Sequence, residues 1–290
     1  MKILLTIPHY YKPSPGGDYG STASNSAGRV ANLATCISSL YATFGGHQGL
    51  LHWSKRVIRA ANADCRHELD IVVCTTGEHH LLGQLNLPRH MYRHHTTQAQ
   101  PQLLGFECHA LMRSLLGKYD RYCYLEDDIL VFDAYFFAKQ DWFTRLAGAD
   151  CVLQPNRFET SAMMSPHKLY VDGNLVDPTI SPRYQNIADR PSLTFEAFGR
   201  SFIFQRIDNP HAGCFFLTAE QMAYWAGQPH FLNGDTGFWG PLESAATLGI
   251  MRTFRTYKPA RECAAFFEVK HLDNRYLGNR LQVSAEQSKK

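Results

Sequence analysis

Long apolar runs are missing from this 290-residue sequence. No stretch approaches the roughly 18 consecutive apolar residues that a membrane-crossing helix needs. The opening segment, MKILLTIPHYY, holds one Lys and a short apolar run, less than a secretory leader requires, and no cleavage pattern follows it. A cytoplasmic address is the expectation, with a peripheral place at the inner face of a membrane left open. An excess of one charge is missing as well. There are 29 Lys and Arg against 26 Asp and Glu, a net of +3, and no long basic run of the kind that nucleic-acid or general membrane-surface binders carry. The densest basic patch, Arg89, His90, Arg93, His94 and His95, reads as a solvated loop. The eight Cys form no C-x-x-C pair, and Cys74, Cys123 and Cys214 sit in apolar segments, so free core thiols are expected rather than disulfides or a zinc site. The sequence also has no P-loop, G-x-G-x-x-G, G-x-S-x-G or H-E-x-x-H motif. Those absences speak against kinases, dinucleotide-dependent dehydrogenases and hydrolases of the matching kinds.

What remains is an ordinary globular composition, 44% hydrophobic and 19% charged, enough for a full core. The run from Lys2 to Ile7, closed by Pro8, suits a buried parallel strand. A Pro-, Gly-, Ser- and Tyr-rich loop from His9 to about Ser26 follows. Apolar residues at Val30, Leu33, Ala34, Ile37, Leu40 and Tyr41 predict a helix from Arg29 to Phe44, stopped by Gly45 and Gly46. A second helix is expected around Trp53 to Ala61, then a strand from Leu69 to Cys74. Helices are predicted from Leu103 to Leu116 and Asp133 to Leu146, and strands from Arg121 to Leu125 and Cys151 to Gln154. From Arg157 to Arg200 the pattern weakens to short strand-like pieces such as Lys168 to Val171. Gly213 to Leu217 is strand-like again, Thr218 to Trp225 is helical behind a Thr-x-x-Gln capping pattern, and Leu242 to Leu248 is helical behind Pro241. Strand, helix, strand repetition predicts one α/β domain over residues 1–281, a mostly parallel sheet flanked by helices with an acceptor-side subregion. The polar tail 282–290 is expected to fray.

The most informative segment is Tyr122-Cys123-Tyr124-Leu125-Glu126-Asp127-Asp128-Ile129-Leu130-Val131-Phe132. Three consecutive acids interrupt an apolar run at the carboxyl end of a predicted parallel strand, where open α/β sheets bind ligands. On a strand, Glu126 and Asp128 share a face and Asp127 takes the other. Three crowded anions repel unless cations or hydrogen-bond donors meet them. All-oxygen ligation would suit Mn²⁺ or Mg²⁺, with substrate phosphate oxygens completing the shell.

Tyr124-Leu125-Glu126-Asp127-Asp128-Ile129-Leu130-Val131-Phe132, with Phe136 and Phe137 behind it, resembles the acidic DXD motif of GT-A-fold (Rossmann-like) glycosyltransferases. It is especially similar to the Glu-Asp-Asp version in N-acetylglucosaminyltransferase I. The resemblance implies a nucleoside-diphosphate sugar donor bridged by Mn²⁺ or Mg²⁺. It makes Asp128 the direct metal ligand and sets Glu126 and Asp127 against the sugar, the ribose or metal waters, with Glu126 also a candidate ligand. Other segments fall in the order such a fold uses. Pro8, His9, Tyr10 and Tyr11 end the first strand, where a nucleotide base would stack. Asn156 and Arg157 follow the fourth predicted strand, Arg157 facing a phosphate or sugar hydroxyl or pairing with Glu159. In Asn233-Gly234-Asp235-Thr236-Gly237-Phe238-Trp239-Gly240-Pro241-Leu242-Glu243, Glu243 is the candidate base that takes the acceptor proton and Asp235 the second choice. Phe238 and Trp239 would stack on the acceptor sugar. Ser244 stands where the family pattern has Asp, so inverting transfer is favoured while retaining chemistry stays open. His271 is a candidate metal ligand near the C-terminus, with Lys270 or Arg275 steadying the diphosphate.

The resulting expectation is a metal-dependent hexosyl- or N-acetylhexosaminyltransferase that moves a sugar to a glycan or other hydroxyl acceptor in polysaccharide or glycoconjugate assembly. Residues 1–155 would form the donor half and 156–281 the acceptor half. A sugar-phosphate nucleotidyltransferase is the enzymatic rival, although Pro8-His9-Tyr10-Tyr11 stands where that class wants a Gly-rich basic loop. A non-catalytic cation- or carbohydrate-binding protein is the alternative from another class.

Overall fold

The computed structural model describes residues 1–16, 20–163 and 165–277, so the expected tail at 282–290 lies outside the described residues. Strand β1 (Lys2–Pro8) is buried from Ile3 onward, as a strand covered on both faces must be. Its period of two divides the protein's interior. Ile3, Leu5 and Ile7 enter one core, while Leu4 enters another. Helix α1 (Ser26–Phe44) packs on the first core through Leu33, Ile37, Leu40 and Phe44, a spacing that keeps one face inward. Asn25 caps its start by accepting from the Gly28 amide, and the Gly45 amide closes its end on the Tyr41 carbonyl.

The helix expected around Trp53 to Ala61 is instead a hairpin, β2 (Gly49–His52) and β3 (Val57–Ala60), joined by a 3₁₀ turn at Trp53–Lys55. Arg56 adopts φ 50° and breaks any helix there, and β-branched Val57 and Ile58 suit a strand better. Strand β4 (Glu68–Thr76) pairs parallel with β1. The basic patch expected as a loop contains edge strand β5 (Arg93–Thr97), parallel to β4. There Arg93 grips Asp70 with two hydrogen bonds of 2.8 and 2.7 Å, which joins the patch to the sheet.

Helix α2 (Leu104–Ser114) covers the second core and precedes β6 (Arg121–Leu125), parallel to β1 on its other side. Short strand β7 (Ile129–Leu130) and helix α3 (Phe136–Ala147) follow. Next come β8 (Cys151–Leu153), β9 (Asn156–Thr160) and β10 (Lys168–Tyr170). The weakly patterned region then supplies a hairpin, β11 (Ser192–Ala197) with β12 (Arg200–Gln205). Strand β13 (Cys214–Thr218) leads into helix α4 (Ala219–Ala226), whose Thr218 and Gln221 form the expected capping box. Helix α5 (Pro241–Glu243), a π turn at Ser244–Leu248 and α6 (Gly249–Thr253) run on as one element. Strands β14 (Arg255–Pro259) and β15 (Glu268–His271) close the described chain.

The described residues form a five-stranded sheet in the order β13-β6-β1-β4-β5, parallel except for β13. Helices α1 and α3 cover one face, α2 and α4 the other. Two four-stranded sheets, β10-β9-β15-β7 and β11-β12-β14-β8, carry the later half. No described helix is long and apolar enough to cross a membrane. All eight cysteines are free thiols, seven of them buried.

Gly105 marks the tightest helix contact. A Cβ built there would lie 2.3 Å from the Ala245 Cβ and 3.0 Å from the Tyr124 hydroxyl. Helix propensity favours Ala over Gly by up to about 1 kcal/mol, but overpacking costs about 1–3 kcal/mol. The collision should win: Gly105→Ala is expected to lower stability by about 1–2 kcal/mol in urea titration, and a gain in stability would show that α2 is free to move away from residue 245.

Candidate functional site

The path of the chain creates a topological switch point, the place where open α/β sheets form a ligand crevice. From β1 it runs to β4 and β5 on one side, then crosses to β6 on the other. The carboxyl ends of β1 and β6 therefore part connections that leave in opposite directions, and open α/β sheets hold ligands at such a point. Pro8-His9 ends one strand and Glu126-Asp127-Asp128 follows the other. The backbone turns at once: Ile129 donates to the Glu126 carbonyl, Glu126 donates to Gly213, and Leu272 donates to Asp128. Gly213, at φ 66°, has no room for a side chain, since a Cβ would meet Glu126 Oε2 at 2.8 Å.

The three acids are enclosed by the protein's own donors. His9 is fully buried. Its Nε2 accepts from the Leu81 amide, so the ring proton sits on Nδ1 and is donated to Asp127 at 2.5 Å. Arg29, from the first turn of α1, reaches Asp127 at 2.5 Å and Asp128 at 3.1 Å. His271 holds Nε2 at 3.7 Å from Asp128, while its Nδ1 donates to the buried Glu159 at 2.8 Å. Glu159 also accepts from the Tyr276 and Leu277 amides, which locks the C-terminal segment behind the histidine. Arg157 pairs with Asp172 at 2.9 Å and stands 3.8 Å from Glu126. The expected alternative partner, Glu159, belongs to His271 instead. Lys258 completes the buried set on Asp172 at 3.1 Å and on the His211 carbonyl.

These neighbours split the acids chemically. Burial pushes Glu126 up to about 8, with Asp128 and Glu243 adding to the rise against Arg157 and His271. Burial also works against ionised Asp128, but His271, Arg29 and Arg157 outweigh it and hold that carboxyl below its ordinary range. Burial lowers His271, yet Asp128 and Glu159 raise it overall. At neutral pH the crevice thus holds one protonated acid, able to donate a hydrogen bond, beside ionised Asp128. Asp128 Oδ1 and Glu126 Oε1 are buried without hydrogen-bond partners.

Other expected residues fall in different places. Pro8 is buried within β1. Tyr10 and Tyr11 are half-buried just past the end of β1, Tyr10 against the His79 ring and the Tyr11 amide on the His79 carbonyl. Asn156 donates to the Pro259 and Ala264 carbonyls and so braces neighbouring backbone. Phe238 is fully buried with Leu248 and Met251; expected on the acceptor, it has no face left for a sugar because the core already takes both. Trp239 is 55% exposed and held at φ 63°, a backbone region that costs a bulky residue energy. Glu243 is half-buried, close enough to raise Glu126, with its carboxylate folded toward Gly240. Asp235 accepts from the Gly237 amide and pairs with Arg252 at 3.5 Å. Ser244 is buried and its hydroxyl bonds both the amide and the carbonyl of Phe238, so it ties the aromatic loop to the helix. Lys270 lies in β15 opposite Leu130, and Arg275 is exposed beside Tyr276.

No protein-family model matches the sequence, and no curated protein does. Among solved structures, the chain is similar to a Desulfovibrio desulfuricans protein described as a candidate nucleotide-diphospho-sugar transferase. The two are 10% identical with a TM-score of 0.34, over 84% of this chain and 74% of that one.

Arg29, Asp172, Lys258 and the carboxylate support from Glu159 escaped the sequence reading. Arg29 left one signal: a cation in the first turn of a helix opposes the helix dipole, so it needs an anion nearby.

The Glu126 shift predicts a pH signature. Its folded value of about 8 exceeds the unfolded one, so stability is full at low pH and falls as pH rises toward 8. Glu126→Gln lacks that slope. The thermal midpoint of the wild type should therefore drop relative to the variant between pH 5 and pH 8, and a constant difference would show that Glu126 is ionised throughout.

Proposed function

We propose that the protein is a GT-A-type glycosyltransferase that moves a sugar from a nucleoside-diphosphate donor to a hydroxyl of a glycan or another acceptor. The observation that carries this is the compensated acid cluster at the switch point of the sheet, with polar atoms of Asp128 and Glu126 left open. In this reading residues 1–155 form the donor half and 156–281 the acceptor half. Tyr10 and Tyr11 flank the base. His9 acts only through Asp127, which it and Arg29 orient toward the ribose or sugar. Protonated Glu126 donates to a sugar hydroxyl, and Arg157, held by Asp172, lies behind it.

Among the described residues no group of three or more His, Cys, Asp and Glu is placed to hold a metal ion. Two ligands nonetheless fit Mn²⁺ or Mg²⁺ whose other positions belong to substrate phosphate. Asp128 offers an unpartnered oxygen, and His271 is aimed by a carboxylate on its far nitrogen, as metal-binding imidazoles are. Such an ion would neutralise charge on the departing diphosphate. Arg29 favours a second arrangement, in which its guanidinium meets the diphosphate directly.

Glu243 is the preferred base, because it shares the electrostatic neighbourhood of Glu126 whereas Asp235 is engaged with Arg252. Exposed Trp239 offers its ring to the acceptor. In a panel of nucleotide sugars assayed with and without Mn²⁺, slow nucleoside-diphosphate release is expected. Pyrophosphate release would point to a nucleotidyltransferase, and binding without turnover to a non-catalytic module. Glu243→Gln should reduce transfer about 100-fold or more with donor affinity intact; lost donor binding would remove Glu243 from the base role.

A further inference from the structure

Among the described residues, the hairpin of β2 and β3 gathers five exposed large hydrophobic side chains within nine residues. Leu50 is 70% exposed, Trp53 80% and Ile58 74%, with Leu51 and Val57 at 44% each. Among the described residues β2 and β3 pair only with each other. An isolated two-stranded hairpin is marginal in water, so these side chains gain nothing from being held out in solvent. Leu51 stands opposite Ile58 and Leu50 opposite Arg59, which puts apolar groups on both faces. The Trp53 turn forms the tip.

Charge decides what covers it. Lys55, Arg56 and Arg59 are all exposed and none meets a carboxylate among the described residues. No Asp or Glu occurs from His47 through Ala63. The fold thus concentrates in one projection the basic character that the whole chain, at net +3, lacks. A Trp at the tip, aliphatic side chains on the strands behind it and three cations supply what an anionic lipid surface takes, aromatic and apolar groups for its interface and cations for its phosphates. A second copy of the chain would bring the same cations and repel.

We propose that this hairpin docks the protein on anionic bilayers, its tip in the interface and Lys55, Arg56 and Arg59 on lipid phosphates. The hairpin joins the end of α1 to the start of β4, at the opposite end of the sheet from the acid crevice, so docking leaves that crevice free. This inference is independent of the proposed transfer activity.

Co-sedimentation with large unilamellar vesicles tests it. The protein should partition onto phosphatidylcholine vesicles containing 30 mol% phosphatidylglycerol, and binding should weaken with salt. Arg59→Gln should weaken partitioning about fivefold. Trp53→Ser with Ile58→Ser should weaken it at least as much, with the thermal midpoint and crevice chemistry unchanged. Equal binding to pure phosphatidylcholine, no binding to either, or concentration-dependent self-association abolished by Ile58→Ser would each overturn the proposal.

Discussion

Arg29 bridging Asp127 and Asp128 is the interaction on which the rest of the crevice depends. Two adjacent carboxylates, both nearly buried, repel each other by about 4 kcal/mol at 4 Å even in a dielectric of about 20. One guanidinium on both, with His9 and His271 behind, turns that repulsion into a network. The same residues fix geometry. Arg29 ties α1 to the turn after β6, His9 ties that turn to β1, and Glu159 ties it through His271 to the C-terminal strand. The acid cluster therefore does not need a resident cation in order to fold, and a divalent ion, if bound, adds to compensation that is already present.

The second lattice, Arg157 with Asp172 and Lys258, works on Glu126. Arg157 lowers the acid's tendency to keep a proton, but burial is the stronger effect. Glu126 and Asp128, two residues apart, thus differ in charge at neutral pH, one a hydrogen-bond donor and the other an anion. On the far side, Ser244 anchors the Phe238–Trp239 loop at a π turn, a helix irregularity that recurs at functional positions. Trp239 stays exposed in a strained backbone only because residues on either side are pinned.

Much of the first half was legible because burial on both faces leaves unbroken apolar runs. β1, β4 and β6 needed only length and a stop (Pro8, the Thr75–Gly77 turn and the acids from Glu126) to be recognised, and α1 needed only its apolar spacing. The Thr218–Gln221 capping box was readable from two residues. The hairpin at residues 49–60 was not, because its apolar residues face solvent and carry no core-facing period. β11 did alternate, with Leu193, Phe195 and Ala197 turned inward, yet surrounding Pro, Asn and Asp masked it. The acid cluster was found by its chemistry, whereas its bridging countercharge at Arg29 lies 99 residues before Asp128. Only the folded chain brings them together. Phe238 shows the converse limit: an aromatic beside a Gly-rich loop looks the same in sequence whether it faces a ligand or the core.

Unfolding free energy of the wild type and Arg29→Met, compared from pH 3 to pH 8, tests the central claim most directly. Removing one partner of a buried charge pair costs about 3–5 kcal/mol, so the variant should be weaker by that order at pH 7. Asp128 is held below its ordinary value, so its contribution is present above about pH 4 and lost as pH falls further. The deficit should therefore shrink toward pH 3. A deficit below about 0.5 kcal/mol at pH 7, the size of an exposed pair, or one that does not change with pH, would contradict the account.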